Sequence, residues 1–254
     1  MFGRRNKKGA AEDAAGEAEQ VVDGIDTEAE EEEVERERVR LEPEPRPDGP
    51  WDDTEVREPG EGRVDLGGLF VPGVEGMELR VEVAGDAIVA ATVVLRDSAI
   101  QLQAFAAPKR EGIWGEVREE IASGITQQGG IVDEVEGSLG WELRAQVPVQ
   151  LPDGTSGFQV VRFVGVDGPR WFLRGVISGQ GAVQPQAAGL LEQIFRDTVV
   201  VRGEGPMAPR DPIVLKLPND AQMVPEGVQQ EEGGSRFSGG MGQLQRGPEI
   251  TEVR

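Results

Sequence analysis

Between residues 63 and 217 apolar and polar positions alternate with a period of two over most of the chain. Leu79, Val81 and Val83 alternate with Arg80 and Glu82. Ile100, Leu102, Ala104 and Ala106 alternate with Gln101 and Gln103, and Trp141, Leu143, Ala145, Val147 and Val149 with Glu142, Arg144 and Gln146. Successive side chains of a strand point to opposite faces, so each run predicts a strand with one face in a core and the other in water. Residues 87–95 are more continuously apolar, as a central strand would be. Segments 158–166 and 170–178 flank Asp167-Gly168-Pro169 and predict a hairpin. Pro152-Asp153-Gly154 marks another turn.

Two stretches change to the helical period. In 111–128, Trp114, Val117, Ile121 and Ile125 fall on one face, and Gly129-Gly130 supplies a stop. In 185–198, Pro185 suits a first-turn position and Leu190, Leu191, Ile194 and Phe195 form the stripe. Strands joined mainly by hairpins, with helices between runs of strands, predict the α+β class: an antiparallel sheet of about seven strands with two packed helices. The element order is analogous to a Mog1/PsbP-like sandwich, an analogy that carries no function.

The flanks differ in composition. Residues 10–35 hold twelve acids and no base, too little apolar surface to offset the entropy of ordering. The expectation is a disordered acidic tail over 1–47, with a solvated helix over 28–40 supported by Glu32/Arg36 spacing, and a stiff Pro-rich stretch at 41–50. A linker follows over 48–63, one globular domain over 64–217, and a disordered Gly/Gln-rich tail over 218–254.

Formal charge is −21, from 47 acids and 26 bases. That sign repels nucleic acid and anionic membrane surfaces. No run of about 18 apolar residues predicts a membrane span. The basic start, Met1 to Lys8, leads into acids and not into the apolar stretch of an export signal, so a cytoplasmic location is expected. Histidine, cysteine and tyrosine are all absent. No imidazole base, thiolate nucleophile or phenol is therefore to hand, and no thiolate zinc site. No cofactor is implied.

Several features suggest a site, each beside a plainer reading. Gly175 to Gly181 follows a strand and precedes a helix, a place where backbone N–H groups could hold a phosphate. Gln184 stands where a dinucleotide fingerprint would need glycine, and no lysine completes a phosphate loop. A flexible connection is the plainer reading. Arg80, Arg96, Arg144, Arg162, Arg170 and Arg174 lie in or beside predicted strands. Sharing one face, they would bind a small anionic ligand or an acidic protein, and residues 10–35 could fold back to screen them. The plainer outcome is pairing with Glu82, Glu142 or Asp167. Arg144, Arg162, Arg170 and Arg174 are the candidates carried forward.

Trp114, Trp141 and Trp171 read as core. Trp51 lies in a polar stretch and should dock, on its own domain before a partner. Asp52, Asp53 and Glu55 are hard oxygen donors without a recognisable loop, so no metal site is assigned. Lys109 sits in what reads as an exposed turn, which gives a Ser-Lys catalyst no buried base.

Gly49-Pro50-Trp51-Asp52, Arg63 to Leu69, Phe105-Ala106-Ala107-Pro108, Trp171 to Val176 and Phe195 to Gly203, running on to Pro206-Met207-Ala208-Pro209-Arg210, carry a family resemblance. Over about 48–217 the chain resembles an uncharacterised actinobacterial family under the label domain of unknown function 3710. The resemblance implies a small cytoplasmic protein and transfers no functional residue. It also implies a gene beside that of a dUTP-hydrolysing enzyme. The expectation is a non-enzymatic protein- or anion-binding module whose acidic tail regulates access. The alternatives are a Mg-dependent carboxylate hydrolase acting on a nucleotide or phosphate, and a self-associating structural domain forming a homodimer through a sheet edge.

Overall fold

The computed structural model describes residues 45–150, 154–217, 223–224 and 245–250. The expected tail and helix over 1–44, most of the 218–254 tail, and residues 152–153 of the Pro152 turn lie outside the described residues. A main sheet is built from β4 (Glu78–Ala84), β5 (Ala87–Leu95), β6 (Ser98–Ala106), β7 (Ile131–Gly137), β8 (Gly140–Gln150), β9 (Ser156–Gly168) and β10 (Trp171–Gly179). Their order is β4-β5-β6-β10-β9-β8-β7, and every pairing is antiparallel. This is the α+β class and the seven-stranded sheet that the alternation predicts. Two strands from the C-terminal segment, β12 (Met223–Val224) and β13 (Gln245–Ile250), continue the order beyond β4.

Helix α1 (Trp114–Gln127) and helix α3 (Pro185–Asp197) match their predicted stretches within a few residues. A second, small sheet was not foreseen: β1 (Trp51–Asp52), β11 (Val199–Val200), β3 (Leu69–Pro72) and β2 (Arg63–Asp65), in that order. Strands this short present no alternation to read, and β1 pairs in parallel with β11 from the far end of the chain. A one-turn helix, α2 (Gln180–Val183), lies between β10 and α3. Among the described residues no helix is long and apolar enough to cross a membrane.

Each face of the main sheet carries its own core. On one face Leu173, Ile177, Ile100, Leu102 and Val93 pack under Leu191, Ile194 and Phe195 of α3, the small sheet's Leu69 and Val71, and Ile213 with Leu215. On the other, Phe172, Val176, Phe163, Leu143 and Ala145 pack under Trp114, Ile121 and Ile125 of α1. The two helices cover different strands: α3 packs on β6 and β10, α1 on β7, β8 and β9. Two predicted core residues prove exposed. Leu190 is 49% exposed, because the α3 stripe is narrower than its four apolar residues suggest. Trp141 is 42% exposed even though Arg118 of α1 lies over its ring at 5.9 Å.

The start of α1 is fixed from a distance. Asp167 Oδ1 accepts from the Ile113 amide at 2.8 Å and Oδ2 from the Trp114 amide at 3.2 Å. These are orphan donors of a helix N-terminus, which a carboxylate satisfies and which the helix dipole favours. The α1 N-cap residue itself, Ile113, offers no side-chain bond. Asp167→Ala is expected to cost about 1–2 kcal/mol and to speed hydrogen exchange at the Ile113 and Trp114 amides. Denaturant unfolding with amide exchange checks both.

Candidate functional site

The arginines of the predicted cationic face divide between two faces and two turns, Arg96 lying exposed in the β5–β6 turn with φ of 56°. Arg144 on β8 and Arg162 on β9 are direct cross-strand partners. Arg162 stands opposite Ile177, on the α3 side. Arg162 Nη2 donates to Glu142 Oε2 at 2.7 Å and to Glu192 Oε1 of α3 at 2.8 Å, and its Nε donates to Glu142 Oε1 at 3.1 Å. Arg144 Nε donates to the same Oε1 at 2.9 Å. Glu142 is fully buried. Gly137 makes room for it, because a β-carbon there would lie 2.5 Å from Glu142 Oε2. Ser138 Oγ donates to Glu192 Oε2 at 2.5 Å, and Arg196 Nη2 donates to the Ser138 carbonyl at 2.7 Å.

Burial works against charge on both partners of this network, and hydrogen bonding outweighs it. Desolvation alone would raise Glu192, but its bonds from Ser138 and Arg162 hold it below the usual carboxylate range. Desolvation alone would lower Arg162, and its carboxylate partners hold it above its ordinary value. The Arg162 guanidinium is thus committed to clamping α3 onto β8 and β9. The plainer reading of the arginines, pairing with Glu142, is the one found for Arg144 and Arg162.

Arg170 sits exposed at the β9–β10 turn with φ of 64°. Trp51 is half-buried in β1, its amide donating to the Thr198 carbonyl at 3.0 Å, so this stretch docks on its own domain. Its neighbour Asp52 is buried and accepts from Trp171 Nε1 at 2.8 Å, while Arg46 lies over the Trp171 ring at 5.2 Å and grips Glu55 through two bonds of 2.8 and 2.7 Å. The bond from Arg46 lowers Glu55, whereas burial and the charge of Asp52 raise Asp53. The glycine-rich connection is also spent on structure. The Gln180 amide donates to the Asp97 carbonyl at 3.0 Å and the Gly181 amide to Ser98 Oγ at 2.9 Å, so two amides a phosphate would need are occupied.

Arg174 is different. On β10 it alternates with Phe172 and Val176, so it faces the α1 side, opposite Gln103 of β6. The pairings Arg80–Thr92, Thr92–Gln101 and Gln101–Val176 place a polar row beside it. Arg80, Glu82, Thr92 and Gln101 are half-buried there, on the part of this face beyond α1. Gln101 Nε2 and Thr92 Oγ1 both donate to Glu82 Oε1, at 2.5 and 3.4 Å. Arg174 Nη2 donates to Gln103 Oε1, and its guanidinium carbon lies 5.5 Å from the Phe105 ring centroid. Its Nε is buried and has no acceptor. Burial pushes Arg174 down to about 10, with the charge of Glu82 opposing that shift. A guanidinium held among apolar side chains with one neutral acceptor is a strong donor to any oxyanion that reaches it.

The sequence offered Arg174 among six arginines without separating it from the rest. The distinguishing signal is its place between Phe172 and Val176, on a strand apolar on both faces. Gln101, Gln103 and Thr92 carried no signal, since polar residues alternating along a strand read as solvated.

Residues 49–223 match the model of a family described as protein of unknown function, DUF3710, and the chain belongs to that family. No curated protein and no solved structure matches the chain.

Arg162→Met leaves Glu142 buried without its main partner, and thermal unfolding should show a loss of about 3–5 kcal/mol. The Glu192 carboxylate is held below its ordinary value when folded, so its stabilisation is full above about pH 4.5 and is lost as pH falls through the lowered value. In Glu192→Gln that part of the acid limb of a stability–pH curve should be missing.

Proposed function

We propose that this member of the DUF3710 family is a non-enzymatic cytoplasmic binding module. The polar block around Arg174 takes a ligand that presents an oxyanion, a carboxylate or a phosphate. One observation carries this reading: a charged side chain 8% exposed, flanked by core residues, with a buried N–H that no protein atom accepts. Burying a charge with a single neutral partner costs several kcal/mol. An apolar side chain of similar length would sit between Phe172 and Val176 at lower cost, so packing alone does not account for the arginine. Gln103 holds one end of the guanidinium, and Gln101, Thr92 and Glu82 line the approach with groups able to orient a polar ligand.

A carboxylate hydrolase finds less support. It needs two acids converging on one place. Among the described residues the three buried acids are Asp52, Glu142 and Asp167. The first accepts from Trp171, the second is bound by two arginines, and the third caps α1. Each lies in a different part of the domain with its own structural partner.

The test uses Arg174→Met with inorganic phosphate and succinate as oxyanion probes. Without a probe the variant should melt higher than the wild type, by about 2–4 °C for each kcal/mol of burial cost removed. With a probe the wild type should gain thermal stability and the variant should not. A variant that melts several degrees lower, with its response to phosphate and succinate unchanged, would make Arg174 a packing residue and overturn the proposal.

A further inference from the structure

Strand β7 ends the main sheet. It pairs with β8 on one side, and among the described residues with no strand on the other. An edge of this kind presents a row of backbone donors and acceptors to any extended chain. Ile131, Asp133 and Val135 face the α3 side, opposite Gln146, Arg144 and Glu142, while Val132, Glu134 and Glu136 face the α1 side. Asp133, Glu134 and Glu136 are exposed, and β7 carries no base. Arg118 of α1 engages Glu134 at 2.6 Å. Asp133 and Glu136 have no ion-pair partner among the described residues.

The surface beside this edge is apolar. Ile131 is 57% exposed. Across Gln146 it stands level with Val160 of β9, 36% exposed, and two residues further along β9 Phe158 is 60% exposed. All three lie on the α3 face, beyond the Arg162 clamp where α3 meets β9. Single exposed apolar residues are ordinary, but three in one cross-strand group next to an unpaired edge form a surface suited to another chain.

We infer that the β7 edge receives an extended segment of a partner protein in which basic and apolar side chains alternate, added as a further strand. Its apolar side chains would continue the Ile131–Val160–Phe158 surface on the α3 side, and its bases would stand beside Glu134 and Glu136 on the α1 side. The edge's charge selects the occupant. A second copy of this chain pairing β7 against β7 would set acids beside acids, which destabilises a ladder. A basic strand gains at the same positions. The inference concerns a different face from the Arg174 block and does not depend on it.

The test uses the full-length protein and two capped peptides of equal length, one alternating Arg with Val and one alternating Glu with Val. Calorimetry should show binding of the Arg peptide only. Amide exchange should show new protection within Ile131–Gly137 when it binds. Glu136→Lys, on an exposed position of the α1 side, should weaken binding about tenfold, the equivalent of about 1.4 kcal/mol. Association of the peptide with the acid-rich residues 10–35 would leave β7 unprotected and binding insensitive to Glu136→Lys, and that result overturns the inference. So would equal binding of the Glu peptide, or light scattering that shows a dimer dissociated by Ile131→Glu.

Discussion

Strand β10 is buried on both faces from Trp171 to Ile177, and the rest of the domain is arranged to keep it so. Trp171, Leu173 and Ile177 supply the core under α3; Phe172 and Val176 supply the core under α1. Pairing to β6 and β9 satisfies its backbone, so over Trp171–Ile177 little of the strand reaches solvent. Water therefore offsets little of the cost of a polar group placed there. Arg174 is that group, and its lowered value reports the cost.

Covering both faces of a seven-stranded sheet takes more helix than the described residues supply. The helices lie on opposite faces, α3 over the middle of the strand order and α1 toward its β7 end, with the small sheet and Ile213–Leu215 completing the α3 side. Among the described residues two parts of the sheet are left without a helix, and they differ in chemistry. Beyond α1 the surface is polar, with Arg80, Glu82, Thr92 and Gln101. Beyond α3 it is apolar, with Ile131, Phe158 and Val160 ending in an acidic edge. The clamp of Glu142, Arg162 and Glu192 marks the boundary of α3's cover. A buried ion network of this kind adds little net stability over an apolar packing, yet it fixes where the helix sits.

Local order was readable because it depends on neighbours in sequence. The long strands announce themselves by alternation, the β9–β10 hairpin by Asp167-Gly168-Pro169, and α3 by Pro185 at its first turn. The small sheet was not readable: its strands are two to four residues long and are held by partners such as Thr198 for Trp51. Trp141 and Leu190 were placed in the core because a side chain's alternation says which face it takes, and only packing says whether that face is covered. The same limit applied to the arginines. Arg162 and Arg174 looked alike as charged positions in strands, yet one lies against two carboxylates and the other against a glutamine and a phenyl ring.

By itself the sequence determined the fold class, the order of its long elements, the absence of imidazole, thiol and phenol chemistry, and the uneven placing of charge. Those properties follow from side-chain type and short-range spacing. The tertiary structure decided which charges are spent and which are left over, because that depends on long-range pairs: Asp167 with the start of α1, Glu142 with Arg162 and Glu192 with Arg162, and Asp52 with Trp171. Burial in a common core then separates residues of equal charge by the partners they meet. That separation singles out Arg174 from the other arginines.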